Sequence, residues 1–323
     1  MQQHIHPDEM EEIRLAAEQG DATAAYNLAL MYDNGRGVAA DAVEAVRWYQ
    51  VAAEQDYMEA CCNLGCCYAI GEGVPQDYAL AKHWLTRAAE LGDGLAYYHL
   101  GVMHAEGEGM PVDAVQAAAC FRKGAELGNA VSQLWLALAL ARGEGVGKDE
   151  YEAFSWMQSA TVGGERVAWY NLGKMYEGGV GVEADAEEAL ACYRRGAELG
   201  CPYAQCRLAS AYRDGELGLP ADAEEALRLH RLAADQGNHE AEFAVCEAYA
   251  QGKAVEFDPQ MIAEWCMRAA KGGLPAAEYF LGYLYYKGMG VRKNMSLARE
   301  WYEKAAAAGH EYAQQALAEM SDT

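Results

Sequence analysis

The chain has 323 residues with 25 basic and 49 acidic side chains, a formal net charge of −24 that repels phosphate backbones and anionic membranes and argues against nucleic-acid binding. Apolar residues at 52% and charged ones at 23% exclude a wholly disordered chain, and no apolar run reaches the ~18 residues of a membrane-spanning helix. The start, Met1-Gln2-Gln3-His4-Ile5-His6, lacks the basic end and apolar core of a signal peptide, so a cytoplasmic protein with its ten cysteines reduced is expected.

His4 and His6 are read as disordered and idle rather than as metal ligands. The first predicted element is a lone capping helix over 8–19 (DEMEEIRLAAEQ). From there the sequence repeats itself every 36 residues. A turn position is held by Gly20, Asp56, Gly92, Gly128, Gly164, Gly200, Gly237, Gly273 and Gly309, in steps of 36 except for one of 37. The extra residue lies in the stretch from Gly215 to Pro220. Length alone suggests two domains at ~150 residues each, but a repeat of this regularity overrides it, and one domain over 1–323 is expected.

Within the first unit, Ala24, Leu28, Met31 and Gly35 follow the three-and-four spacing of one helical stripe, called helix A. A second stripe, helix B, runs through Ala45, Trp48, Tyr49 and Ala52, with Asp41 as its N-cap. Gly20 and its equivalents can take the left-handed conformation that closes a helix, and Asp21, Asp93, Asn129 and Asn238 stand ready to cap the next one. One hairpin buries one face only, so eight in series over 21–309 must cover each other and build a continuous core. Trp48, Trp84, Trp156, Trp265 and Trp301 are expected to fill the wide gaps between helices, and the alanine pairs such as Ala52-Ala53 to let helices approach. A last lone helix over 310–320 caps the far end. The fold class is therefore all-α, about eighteen helices in a right-handed α/α superhelical solenoid.

One copy of the motif reads Ala60-Cys61-Cys62-Asn63-Leu64-Gly65, then Tyr68, Gly71-Glu72-Gly73-Val74, Asp77, Ala81, Trp84 and Ala88-Ala89. It resembles the SEL-1-like repeat, a relative of the tetratricopeptide repeat, over nearly the whole chain, and a protein of bacterial type is expected. The resemblance implies a non-catalytic adaptor that holds a protein or peptide in a concave groove lined by A helices. Two departures stand out. The seventh unit carries Gly252-Lys253-Ala254-Val255 and Asp258-Pro259, so a different tilt of its hairpin is expected. Some members join a B helix to the next A helix by a disulfide between cysteines eight residues apart. Here Cys61 is matched with Ala53, so neither that cross-link nor the penicillin-binding activity of the cysteine-rich subgroup carries over.

By the same resemblance, the A-helix position two before the signature leucine faces the groove. That column reads Tyr26, Cys62, Tyr98, Leu134, Tyr170, Cys206, Phe243, Tyr279 and Gln315, with Tyr283 and Tyr286 as inward neighbours in the last full unit. The rings make a partner platform, or else pack between adjacent A helices. Asn27, Asn63 and Asn171, one residue further on, can bond a peptide backbone or their own helices. No basic carboxylate clamp occupies these columns. From Arg268 to Lys304 the chain is basic and the preceding part acidic, which suits either a basic partner steered to the acidic body or a solvated surface.

Cys62 and Cys66 share a helix face, while Cys67 falls in the core column of Met31, Met103 and Met175. Two thiols fall short of a structural zinc site, so these cysteines are read as small core residues, and no metal or other cofactor is expected. No His-Glu-x-x-His, Gly-x-Ser-x-Gly or phosphate-cradling glycine loop occurs, and the recurring Gly-x-Gly turns join two helices rather than a strand and a helix. The leading expectation is a cytoplasmic binding scaffold. An immunity protein that neutralises a basic toxin is the second, and a cell-wall or β-lactam hydrolase, which lacks a nucleophile with a paired base, the third.

Overall fold

The computed structural model describes residues 7–321, so His4 and His6 lie outside the described residues. Among those described there are eighteen helices and no strand, from α1 (Pro7–Glu18) to α18 (Glu311–Ser321), with both capping helices where the period puts them. The chain falls into two compact units, one running to Glu165 and including Val180–Val182, the other made of Arg166–Gly179 and the chain from Glu183 onward.

In the first unit, α2 (Ala22–Asn34) pairs with α3 (Ala42–Ala53), and α4 (Met58–Ile70) with α5 (Tyr78–Glu90). The A-to-B turn is closed by hydrogen bonds that the sequence supplies. Gly35, at a φ of 64°, donates its N–H back to the Met31 carbonyl. Asp41 then accepts from the Val43 and Glu44 amides while its own N–H bonds Tyr32 O at 3.0 Å, so one residue caps helix B and ties it to helix A. The same tie recurs from Asp77 to Tyr68 and from Asp185 to Tyr176. At the B-to-A turn the expected left-handed residue is found throughout, including the non-glycine Asp56 at a φ of 60°.

Close approach explains the small residue after each signature leucine. A Cβ on Gly101 would stand 2.4 Å from the Phe121 ring, and one on Gly173 2.6 Å from that of Tyr193. The B-helix residue eight after the capping Asp fills the space this leaves, and Tyr49 and Tyr193 are almost fully buried there. Their hydroxyls escape an unpaired burial by donating to Asp33 at 3.0 Å and Glu177 at 2.6 Å.

The tryptophan column departs from expectation. Trp48 and Trp265 are buried, but Trp84, Trp156 and Trp301 are only half-buried. All five stand one residue before the column that truly plugs the hairpin, at the border of core and rim, and these three lie on the rim side. There they meet polar groups: Lys304 sits 4.0 Å over the Trp301 ring, and the Trp156 indole donates to Glu152 at 3.1 Å.

The seventh hairpin, α14 (His239–Gln251) with α15 (Pro259–Lys271), keeps both caps, Gly252 at a φ of 63° and Asp258 accepting from Gln260 and Met261. Its loop differs at Ala254, which holds a φ of 61° where most units place glycine. The 37-residue unit absorbs its extra residue likewise in the loop, with Leu217 and Gly218 both at positive φ.

Candidate partner-binding face

The groove column is neither sealed nor free. Tyr26, Tyr98, Tyr170, Phe243 and Tyr279 are all half-buried. Each tyrosine rests on a ring of its own hairpin's B helix: Tyr26 on Tyr49, Tyr98 on Phe121, Tyr170 on Tyr193 and Tyr279 on Tyr302, at centroid separations of 5.6 to 6.3 Å. Three of them also touch a more exposed ring from the next repeat. These pairs are Tyr98 with Trp135 at 6.3 Å, Tyr170 with Tyr203 at 5.7 Å and Tyr279 with Tyr312 at 6.3 Å. The outer members are 39%, 51% and 64% exposed, so the column ring is the fixed base and its neighbour the accessible surface. Cys62, in contrast, is buried and offers nothing to a partner.

The asparagine column serves the fold where its bonds are defined. Asn171 donates to Val167 O of its own helix at 3.1 Å, and Asn63 reaches the hydroxyls of Tyr26 and Tyr49 in the preceding hairpin. Asn27 is exposed. The reading from sequence missed Trp135, although a step of 36 from Asn63 through His99 lands on it.

In the last full unit, Tyr283 and Tyr286 are half-buried beside Tyr279, against a core of Ala298, Tyr302, Ala305 and Ala313. Lys287 lies 5.7 Å over Tyr283 and 5.2 Å over Tyr286, and Lys293 5.7 Å over Tyr286. The basic stretch thus puts two ammonium groups on the aromatic cluster itself.

The cysteines divide by surroundings. Cys61 donates to Ala53 O at 3.6 Å, so the residue pair that could carry a cross-link meets as thiol and carbonyl. Cys62 and Cys66 on α4 gather with His99 on α6 (Gly94–Glu106), their ligand atoms all within 4.8 Å of one another. A hydrogen bond from the Cys62 thiol, with help from His99, holds Cys66 well below the usual thiol range, and the same bond, burial and the Asp93 carboxylate push Cys62 up. The two thiols share this face as their spacing predicts, and an imidazole from the next repeat, which the spacing along α4 does not show, joins them.

In the second unit a cleft of about 460 Å³ opens between α12 (Pro202–Asp214), α13 (Ala223–Ala234) and α14, lined by Arg213, Asp214, His230, Glu247 and Lys253. Burial, and then Arg213, lower the His230 imidazole to about 4, while burial raises the Glu247 carboxyl. At near-neutral pH the imidazole is uncharged, and no serine, threonine or cysteine is among the residues lining the cleft.

The family model for the Sel1 repeat matches residues 22–57, 59–93, 94–129, 130–161, 167–201, 202–238 and 275–310 and passes over the hairpin of Ala254. A Sel1 repeat protein from Oxalobacter formigenes is 32% identical and superposes with a TM-score of 0.67, covering 96% of this chain and 90% of that one. The protein c5321, a protective antigen present in uropathogenic Escherichia coli strains with an SLR fold, is 29% identical at a TM-score of 0.57, over 97% of this chain and 75% of its own. The immunity protein Pa5087 from Pseudomonas aeruginosa, at 19% identity, 68% and 83% coverage and a TM-score of 0.49, is too distant to carry any argument. No curated protein sequence gives a significant match.

Proposed function

The chain belongs to the Sel1 repeat family, whose members are in general protein-interaction scaffolds, and we propose that this one is a non-catalytic scaffold that grips a protein or peptide through its A-helix aromatic rings. The observation that carries this is the pairing of a fixed ring with an exposed one: Tyr98 with Trp135, Tyr170 with Tyr203, Tyr279 with Tyr312. Packing beneath has already restricted the inner rings, so a partner meets a large apolar area at small ordering cost. A net charge of −24 favours a basic partner and makes its arrival salt-sensitive. Charge alone also supports the immunity reading, since a basic toxin is one such partner, but it specifies no contact. Ten cysteines in a chain read without an export signal suit a reducing compartment, and the proposed location is the cytoplasm.

Affinity capture from native lysate with wild-type protein and with a Trp135→Ser, Tyr203→Ser, Tyr312→Ser triple variant tests the reading. All three positions are exposed, so the variant keeps its helicity while its partner is lost or weakened at least ~10-fold. Identical sets of bound proteins from both baits would remove the aromatic face from the proposal.

A further inference from the structure

We propose that Cys62, Cys66 and His99 form a binding site for a single zinc ion whose fourth coordination position opens to solvent. The three donor atoms lie within 4.8 Å of one another. Tetrahedral zinc, with bonds of ~2.3 Å to sulfur and ~2.0 Å to nitrogen, sets its donors roughly 3.5–3.8 Å apart, so the trio closes on an ion by turning side-chain ends through about 1 Å. The backbone needs no movement. Cys62 and Cys66 share one face of α4 by their spacing of four, and His99 stands on α6, the adjacent A helix.

Chemistry narrows the ion. Two sulfurs and an imidazole nitrogen are soft and borderline donors, which suit zinc and reject magnesium and calcium. Two thiolates balance the two charges of the ion, and their protons leave to solvent on binding. Asp93, which faces Cys62, already has one oxygen committed to the Leu95 and Ala96 amides at 2.7 and 3.3 Å. It is not among the donors that converge, and it stands as an outer charge rather than as a ligand. Cys62 is buried, whereas Cys66 and His99 are half-buried, so the ion enters, and keeps a water or a partner's side chain, from the solvent side.

The full-length protein, stripped of metal and kept in a non-thiol reductant, is titrated with cobalt(II) as the spectroscopic stand-in for zinc. A thiolate-to-cobalt charge-transfer band should grow to a single equivalent and be bleached by a single equivalent of zinc. Cys66→Ser and His99→Gln, at half-buried positions that leave the helical circular dichroism intact, should each lose most of the band. Cys120→Ser, a half-buried thiol on another face, should keep it. Absence of the band from the wild-type protein, or a band undiminished in both Cys66→Ser and His99→Gln, overturns the assignment.

Discussion

Both units contain a histidine and a pair of neighbouring cysteines, and they put them to opposite uses. In the first, Cys62, Cys66 and His99 converge and two of the three meet solvent. In the second, His230, Cys246 and Cys266 are 4%, 0% and 0% exposed. There the thiols donate to backbone carbonyls, Cys246 to Ile262 at 3.4 Å and Cys266 to Ala277 at 3.3 Å. The repeat column makes the difference. His99 follows the groove column directly, beside Asn27 and Asn63 in register, while His230 and Cys266 stand eight residues after the capping Asp222 and Asp258, where Tyr49 and Tyr193 plug their hairpins. Residue type alone therefore says little about chemistry in this fold, and register says a good deal.

The largest expected consequence concerns His230. Its folded-state value of about 4 lies below the ordinary 6.5, so the folded protein resists a proton that the unfolded chain accepts. Stability is fully present above 6.5, falls as the pH drops from 6.5 to 4, and levels off below, a loss of roughly 3 kcal/mol at most. Arg213 adds to the depression and Asp214 opposes it, while Glu247, whose raised value works in the other direction, offsets part of the loss. Urea unfolding at neutral and at mildly acidic pH should show a shallower decline in His230→Leu than in the wild type. Equal declines would place the imidazole in a wetter setting than the core column implies.

Thiol reactivity sharpens the same contrast. Cys66 is reachable in the native fold, whereas Cys266 is sealed and requires local opening. In a time course of alkylation by iodoacetamide, followed by peptide mass spectrometry, Cys66 should be modified about 100-fold faster than Cys266. Comparable rates would mean that the second unit opens as readily as the first unit is open.

Much of this was readable before any coordinates. The period of 36, the capping Asp and Asn residues and the turn glycines suffice to place eighteen helices, because each is a local backbone rule repeated many times. The limits of the reading are contacts between helices, within a hairpin and between repeats. Periodicity along α5 puts Trp84 and Leu85 on the same broad stripe, and only the close packing of A on B decides that Leu85 is the plug and Trp84 the rim. Likewise Cys62 and Cys66 suggest a pair from the sequence of α4, and His99 joins them only because the next A helix lies alongside. The aromatic column was legible as a column, but the exposed Trp135 beside it belongs to a neighbouring register that asparagine disguises elsewhere.

The A-to-B loops also differ from one another, with a smaller effect. The second glycine of Gly143-Glu144-Gly145 presses on the start of the preceding B helix: a Cβ on Gly145, whose φ is 69°, would stand 1.9 Å from Ala114 O, and Gly290 in the second unit is as close to Pro259 O. Gly145→Ala should therefore cost about 2 kcal/mol, from overpacking and a strained backbone together. Ala254, at the matching place in the second unit, already carries a Cβ at a φ of 61°. It does so beside a shallow cleft of about 400 Å³ lined by Glu224, Leu227 and Arg228 of α13, whereas the Gly145 site is closed by Ala114 O. What remains is the left-handed strain, ~1 kcal/mol for a residue with a Cβ, against the extra freedom glycine gains in the unfolded chain. Ala254→Gly should then raise stability by about 0.5 kcal/mol in urea titrations, opposite in sign to Gly145→Ala. A loss of stability in Ala254→Gly would mean that its methyl group packs on α13 strongly enough to outweigh the strain, and that the seventh loop is held by side-chain contact where the others are held by glycine.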